Sequence, residues 1–212
     1  NVAIIGAGFG TTIKIKDGIN AAVNMMNITT KTYVSIESLQ LDGNQTNRIG
    51  GVQKSILLSG SSYCNIESLR ITDVNDETIE LASTSQYNLI SLCMINSSSF
   101  AGAAIISINT ASSRNEVVNN MISTSARIAI KSTATENLII NNNITSITNH
   151  AINIDTTTLN SVSCNAIDSC SYGVYFDTAE DSIVEGNHID NSTNEAVYFT
   201  GSVNNSVKNN YI

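Results

Sequence analysis

Asp155 and Asp177 are the residues of this sequence best placed to do chemistry. Each closes a short alternating segment, I-N-I-D and V-Y-F-D, and the two stand 22 residues apart. If those segments are strands of successive layers, the carboxylates lie about 5 Å apart. At that separation two carboxyls raise each other's proton affinity, which suits general acid–base work on a glycosidic bond or a shared cation. Tyr175 and Tyr198 would form a flat aromatic step beside them for a sugar ring. Asn153, Lys131 and Arg127 complete the candidate ligand-contacting set, with the two cations able to neutralise an acidic sugar. The plainer alternative is that stacked tyrosines only pack against one another and that Asp only starts a turn.

What must position these residues is a repeat. Asn115–Ile122 reads N-E-V-V-N-N-M-I, and the skeleton N-x-[IV]-x-x-N-x-I returns at Asn137, Asn160, Ser182 (with Ser for the first Asn) and Asn205. Successive copies start 22, 23, 22 and 23 residues apart, a period that marks a solenoid. Between motifs lie pairs of apolar residues separated by one position: Ile56/Leu58, Ile79/Leu81, Ile106/Ile108, Ile128/Ile130, Ile152/Ile154, Val174/Phe176 and Val197/Phe199. A period of two is that of a strand. The spacing predicts an all-β fold, a parallel β-helix with three short strands per coil and about eight to nine coils. Inward Ile, Leu and Val stack in columns, each contributing roughly 1.5–3 kcal/mol when fully buried. Asn120, Asn142, Asn165, Asn187 and Asn210 are predicted to form a ladder of stacked amides at one corner. The chain reads as one domain, 1–212, with opening coils over 1–30 and repeats over 31–212, and as a segment of something longer.

Other chemistry is disfavoured. A net charge of −8 with scattered Lys and Arg lacks the basic stripe that nucleic acid requires, and no apolar run is long enough to span a membrane. Gly6, Gly8 and Gly10 miss the dinucleotide fingerprint, because Thr11 stands where its third glycine belongs; strand, glycine turn and strand is the simpler reading. Cys64, Cys93, Cys164 and Cys170 occupy different repeat positions, so free thiols are expected and no metal site. No cofactor is expected beyond weak calcium at the Asp73, Asp76, Glu77 loop, which lacks the order of a dedicated calcium loop. His150, in a variable loop before Ala151, and His188 read as surface residues. Length variation falls between the motif and the next apolar pair, the longest such segment being Asp42 to Ser55, and binding loops collect on such an edge.

The N-x-[IV]-x-x-N-x-I repeats resemble those of right-handed parallel β-helix proteins of the pectate-lyase-like superfamily, closest to NosD-type and surface β-helix repeats. The resemblance covers roughly residues 30–212, and G-A-G-F-G-T-T-I looks like the opening coils of such domains. It implies the handedness and a substrate groove on the outer face of the short strand beside the variable loops. It does not fix an activity, since that fold hosts lyases, hydrolases, epimerases, tailspikes and adhesins. The G-H-G and R-I-K motifs of polygalacturonases are missing. The first expectation is therefore a non-catalytic extracellular or cell-surface module that touches polysaccharide and stacks on other copies or domains through open coil ends. A polysaccharide-processing domain using Asp155 and Asp177 is the second, and a NosD-like periplasmic accessory role the third; a virion location fits the first two as well.

Overall fold

The computed structural model describes residues 1–18, 22–44, 53–96, 104–123 and 128–212, with no helix among them. Segments of three to seven residues with alternating apolar side chains cannot bury that face alone, so they stack in parallel, coil upon coil. Each coil begins with a leading strand carrying the [IV] of the motif. Nine leading strands, from Val2–Ile5 to Ser206–Lys208, pair in chain order in one sheet. Their register places Ile36, Ile66, Ile90, Val117, Ile139, Val162 and Val184 in a single buried column.

A middle strand follows after a sharp corner, and its column runs Leu41, Ile71, Ile95, Ile122, Ile144, Ile167, Ile189. A trailing strand closes the coil, with Ile56, Ile79, Ile106, Ile130, Ile152, Val174 and Val197 in line. Among the described residues, two coils depart from three separate strands. In Asn143–Asp155 and Ala166–Asp177 the middle and trailing strands run on as one, with a register irregularity between Ile147 and His150. Their connection is short enough for the backbone to bend through the corner without leaving the sheet. Gly173 sits inside that bend, where a Cβ would lie 2.4 Å from the Ala196 carbonyl oxygen and 2.6 Å from Ile189 Cγ2.

One register differs from the sequence reading. The fifth trailing strand, Ile128–Ser132, presents Ile130 and Ser132 to the core columns, where Ile128 and Ile130 were expected. A slip of two residues keeps every side chain on its face, so alternation alone cannot detect it. Ser132 is tolerated inside because its hydroxyl donates to the Ala134 carbonyl at 3.0 Å and accepts from Asn137 Nδ2 at 3.2 Å. The slip moves Lys131 into the outward column of Asn153 and shifts Ala129 one step earlier on that same face, where it is fully covered.

The corner between leading and middle strands carries a ladder of buried amides. Nδ2 of Asn120, Asn142, Asn165 and Asn187 donates to Oδ1 of the Asn one coil on, at 3.0, 3.0, 2.9 and 2.9 Å, ending on Asn210. Each of those oxygens also accepts the backbone N–H of the preceding rung. The left-handed backbone of this corner lies one residue earlier, at Asn119, Asn141, Cys164 and Asn209, all with φ of 55–58°, and at Gly186. Turn-making and stacking are thus divided between neighbouring residues.

A second ladder runs at the corner before the leading strand. It links Asn88 to Asn115 and Asn115 to Asn137 through their side chains, at 3.0 and 3.2 Å. It then continues through backbone N–H groups onto Asn160 Oδ1, Ser182 Oγ and Asn205 Oδ1. The single expected ladder is therefore two. All four cysteines are free, and Cys93 occupies the rung before Asn120, donating its backbone N–H to Asn120 Oδ1 at 3.0 Å.

Candidate functional site

Outward residues of the trailing strand form a column of Leu57, Glu80, Ser107, Lys131, Asn153, Tyr175 and Tyr198. Although they point away from the core, Glu80, Ser107 and Asn153 are only 8%, 5% and 7% exposed. The middle of this face is therefore sunken. Arg127 and most of the 42–55 segment lie outside the described residues.

Asp155 and Asp177 are direct register partners on this face. They are not equivalent. Lys131 Nζ stands 2.9 Å from Asp155 Oδ2, and the Thr156 hydroxyl donates to Asp155 Oδ1 at 2.7 Å. Burial pushes the Asp155 carboxyl up, but the hydrogen bonds from Lys131 and Thr156 and the lysine's charge outweigh it, leaving the group below its ordinary value. Asp177 accepts from its neighbour Thr178 at 3.1 Å, and no Lys or Arg among the described residues pairs with it.

The tyrosines are packed more tightly than a sugar platform would be. Tyr175 is stacked on Tyr198 at 5.2 Å on one side and on His150 at 4.3 Å on the other. Tyr172 closes on the group, 5.3 Å from Tyr175 edge-on, and 5.2 Å from His150. Both faces of Tyr175 are thus covered, and what it presents is a ring edge and a hydroxyl. Burial, followed by the nearby charge of Asp177, pushes that hydroxyl's pKa up, so it remains a hydrogen-bond donor. His150 belongs to this wall and not to a surface loop as expected; its signal was the shared offset of H-A-I-N and Y-G-V-Y, with His150 and Tyr172 each three residues before the outward column. His188 does face outward, with Nε2 2.7 Å from Asp190 Oδ2.

Asn153 sits between Lys131 and Tyr175 in the column. Asn153 is more than nine-tenths buried, yet no donor among the described residues reaches its Oδ1. A buried carbonyl oxygen without a donor is costly, about 1–3 kcal/mol, and such groups in native structures call for a specific account.

Further along the face, Lys54 pairs with Glu80 and, at 3.2 Å, with Glu77, while Asn109 Nδ2 donates to Glu80 Oε1. Asp76 is pushed up to about 6, first by burial and then by its hydrogen bond to Glu77 and that group's charge. Burial pushes Glu77 up, but the hydrogen bond from Asp76, a backbone N–H and then the charge of Lys54 outweigh it, so Glu77 lies below its ordinary value and takes the ionised share of the pair. The lysine ammonium occupies the place on this acidic group that a cation would seek. No cluster of three or more metal-ligating side chains occurs among the described residues.

A second aromatic column escaped the sequence reading. Tyr33, Tyr63 and Tyr87, each three residues before the core residue of a leading strand, stack at 5.3 and 5.0 Å with nearly parallel rings. Arg114 caps the stack, 5.7 Å above the Tyr87 ring, and pairs with Glu136.

The chain belongs to the right-handed beta helix region family, whose match covers residues 54–212. Among solved structures it is similar to a hyperthermoactive exopolygalacturonase from Thermotoga maritima (TM-score 0.64, 14% identity over 85% of this chain and 49% of that one). It is similar to a tailspike protein of E. coli bacteriophage HK620 solved with a hexasaccharide (TM-score 0.61, 11% identity, 98% and 54%). The A-module of a mannuronan C-5 epimerase from Azotobacter vinelandii aligns over 99% of this chain and 79% of its own length (TM-score 0.50, 15% identity). At such identities the likeness shows the fold alone, and this chain spans about half of the first two proteins. No curated protein matches the sequence.

Proposed function

We propose that the chain is a non-catalytic, glycan-contacting β-helix module of the cell surface or extracellular space. The observation that carries this reading is the sunken trailing-strand face, where Asn153 offers a buried, undonated carbonyl oxygen between the Lys131–Asp155 pair and the wall of His150, Tyr172, Tyr175 and Tyr198. Sugar hydroxyls are donors and acceptors at once, and a recessed strip with one acceptor, several hydroxyls and aromatic edges suits them. The exopolygalacturonase and the hexasaccharide-bound tailspike add weight by showing that proteins of this fold handle polysaccharide.

Catalysis by Asp155 and Asp177 is the weaker reading. An acid–base pair needs one carboxyl that keeps its proton near neutrality. Asp155, held ionised by Lys131 and Thr156, is not that group, and its ammonium partner occupies the carboxylate a base would need free. The test is to measure binding and cleavage side by side on a panel of neutral and acidic polysaccharides. Binding that weakens in Tyr198→Ala, with no reducing ends released, supports the module. Cleavage by the parent protein that disappears in an Asp155→Asn, Asp177→Asn double variant would overturn it in favour of a polysaccharide-processing enzyme.

A further inference from the structure

The charges of this face say which glycans it can accept. Lys131 is the one described cation beside Asp155 and Asp177, and it is already paired to Asp155. Two to three coils earlier, Lys54 is likewise shared between two carboxylates, Glu77 and Glu80. Each cluster therefore sets one ammonium against two acidic groups. The chain as a whole carries −8, so the long-range field has the same sign. No lysine in either cluster is left to meet an incoming carboxylate. Among the described residues, the buried group between Lys131 and the tyrosine wall that lacks a partner is an acceptor, Asn153 Oδ1, which is satisfied by a donor such as a sugar hydroxyl or amide N–H.

We infer that the trailing-strand face binds neutral polysaccharide, with a sugar hydroxyl or acetamido N–H donating to Asn153 Oδ1, and discriminates against polyuronates. This rests on the glycan-contact reading and narrows it. It also corrects the expectation that Lys131 would neutralise an acidic sugar: that lysine serves Asp155. A uronate carboxylate brought within about 5 Å of Asp177 loses roughly fourfold in affinity even at the dielectric of water, and Asp155 adds a comparable factor once its lysine is displaced. Specificity here is built from repulsion as much as from contact.

The experiment needs no variant to begin. Binding of the protein to a neutral β-glucan, a galactan, polygalacturonate and alginate is measured by affinity electrophoresis and calorimetry at low and at high salt. The expected result is retention by a neutral polymer, uronate binding at least about tenfold weaker at low salt, and a gap that narrows as salt screens the face. Asn153→Ala, checked for an unchanged thermal transition, weakens neutral binding about three- to tenfold. Asp155→Asn with Asp177→Asn brings uronate binding up by about tenfold. Uronates that bind as well as neutral polymers overturn the inference but leave the glycan-contact reading standing. Failure of every polymer to bind overturns both. Neutral binding indifferent to Asn153→Ala in a folded protein removes Asn153 from the site and with it the inference.

Discussion

Asn142 is the most informative residue to remove. It is 1% exposed and lies mid-ladder. Its Oδ1 accepts the Asn120 backbone N–H and Asn120 Nδ2, each at 3.0 Å, and its Nδ2 donates to the Val117 carbonyl at 2.8 Å and to Asn165 Oδ1 at 3.0 Å. Asn142→Ala strips partners from the Asn120 N–H, the Asn120 amide and the Val117 carbonyl, all shielded from water. At about 1–3 kcal/mol for a buried polar group left unsatisfied, and allowing partial relaxation, the loss is about 3–5 kcal/mol. Asn210→Ala removes the same kind of acceptor, from Asn187, but at a half-buried rung where water can substitute, so its cost is about 1 kcal/mol. Urea unfolding followed by circular dichroism and by tyrosine fluorescence measures both. If the two substitutions cost the same, or Asn142→Ala costs under about 1 kcal/mol, the amide ladder does not hold the corner and the account of this fold's polar stitching is wrong.

Other outcomes follow from single contacts. Gly173→Ala drives a methyl into the Ala196 carbonyl and Ile189, so it should cost about 1–3 kcal/mol by overpacking, read as a lower thermal midpoint. Asp76 has a folded-state pKa of about 6, raised above its unfolded value, so its contribution is present in acid and lost as pH rises towards 6; Asp76→Asn should abolish that decline and gain stability at neutral pH. Asp155 has the opposite sign: its depressed pKa stabilises the fold above the unfolded value and the benefit fades as pH falls through the folded one. Lys131→Ala should therefore cost up to about 1 kcal/mol near neutrality, with the gap from the parent closing in acid.

Much of the architecture was legible because the repeat writes the same instruction again and again. The period gave the coil, the [IV] and I positions gave two core columns, and the second Asn gave one ladder. The first Asn of the motif announced the other ladder just as plainly, since Asn115 and Asn137 recur on the same schedule. What pattern could not reveal was anything invariant to a two-residue shift. Ile128, Ile130 and Ser132 all face one way, and only the hydroxyl's partners at Ala134 and Asn137 decide which of them enters the core. The face was half readable for a similar reason. Spacing brought Asp155 beside Asp177 and Tyr175 beside Tyr198, but whether a ring offers its face or its edge depends on His150, which alternation had left in a loop.

The motif copy beginning at Ser182 has a hydroxyl where others have an amide, and Gly186 where its neighbours turn on Asn or Cys. Ser182 accepts the Asn160 N–H, but its one hydroxyl proton goes to the Glu180 carbonyl of its own coil, so its side chain donates nothing to the next layer. This layer is the slack tooth of a zipper. Amide protons of Ile183–Glu185 should exchange with deuterium sooner than those of Leu138–Ile140, and a load drawn along the cylinder should part it there first.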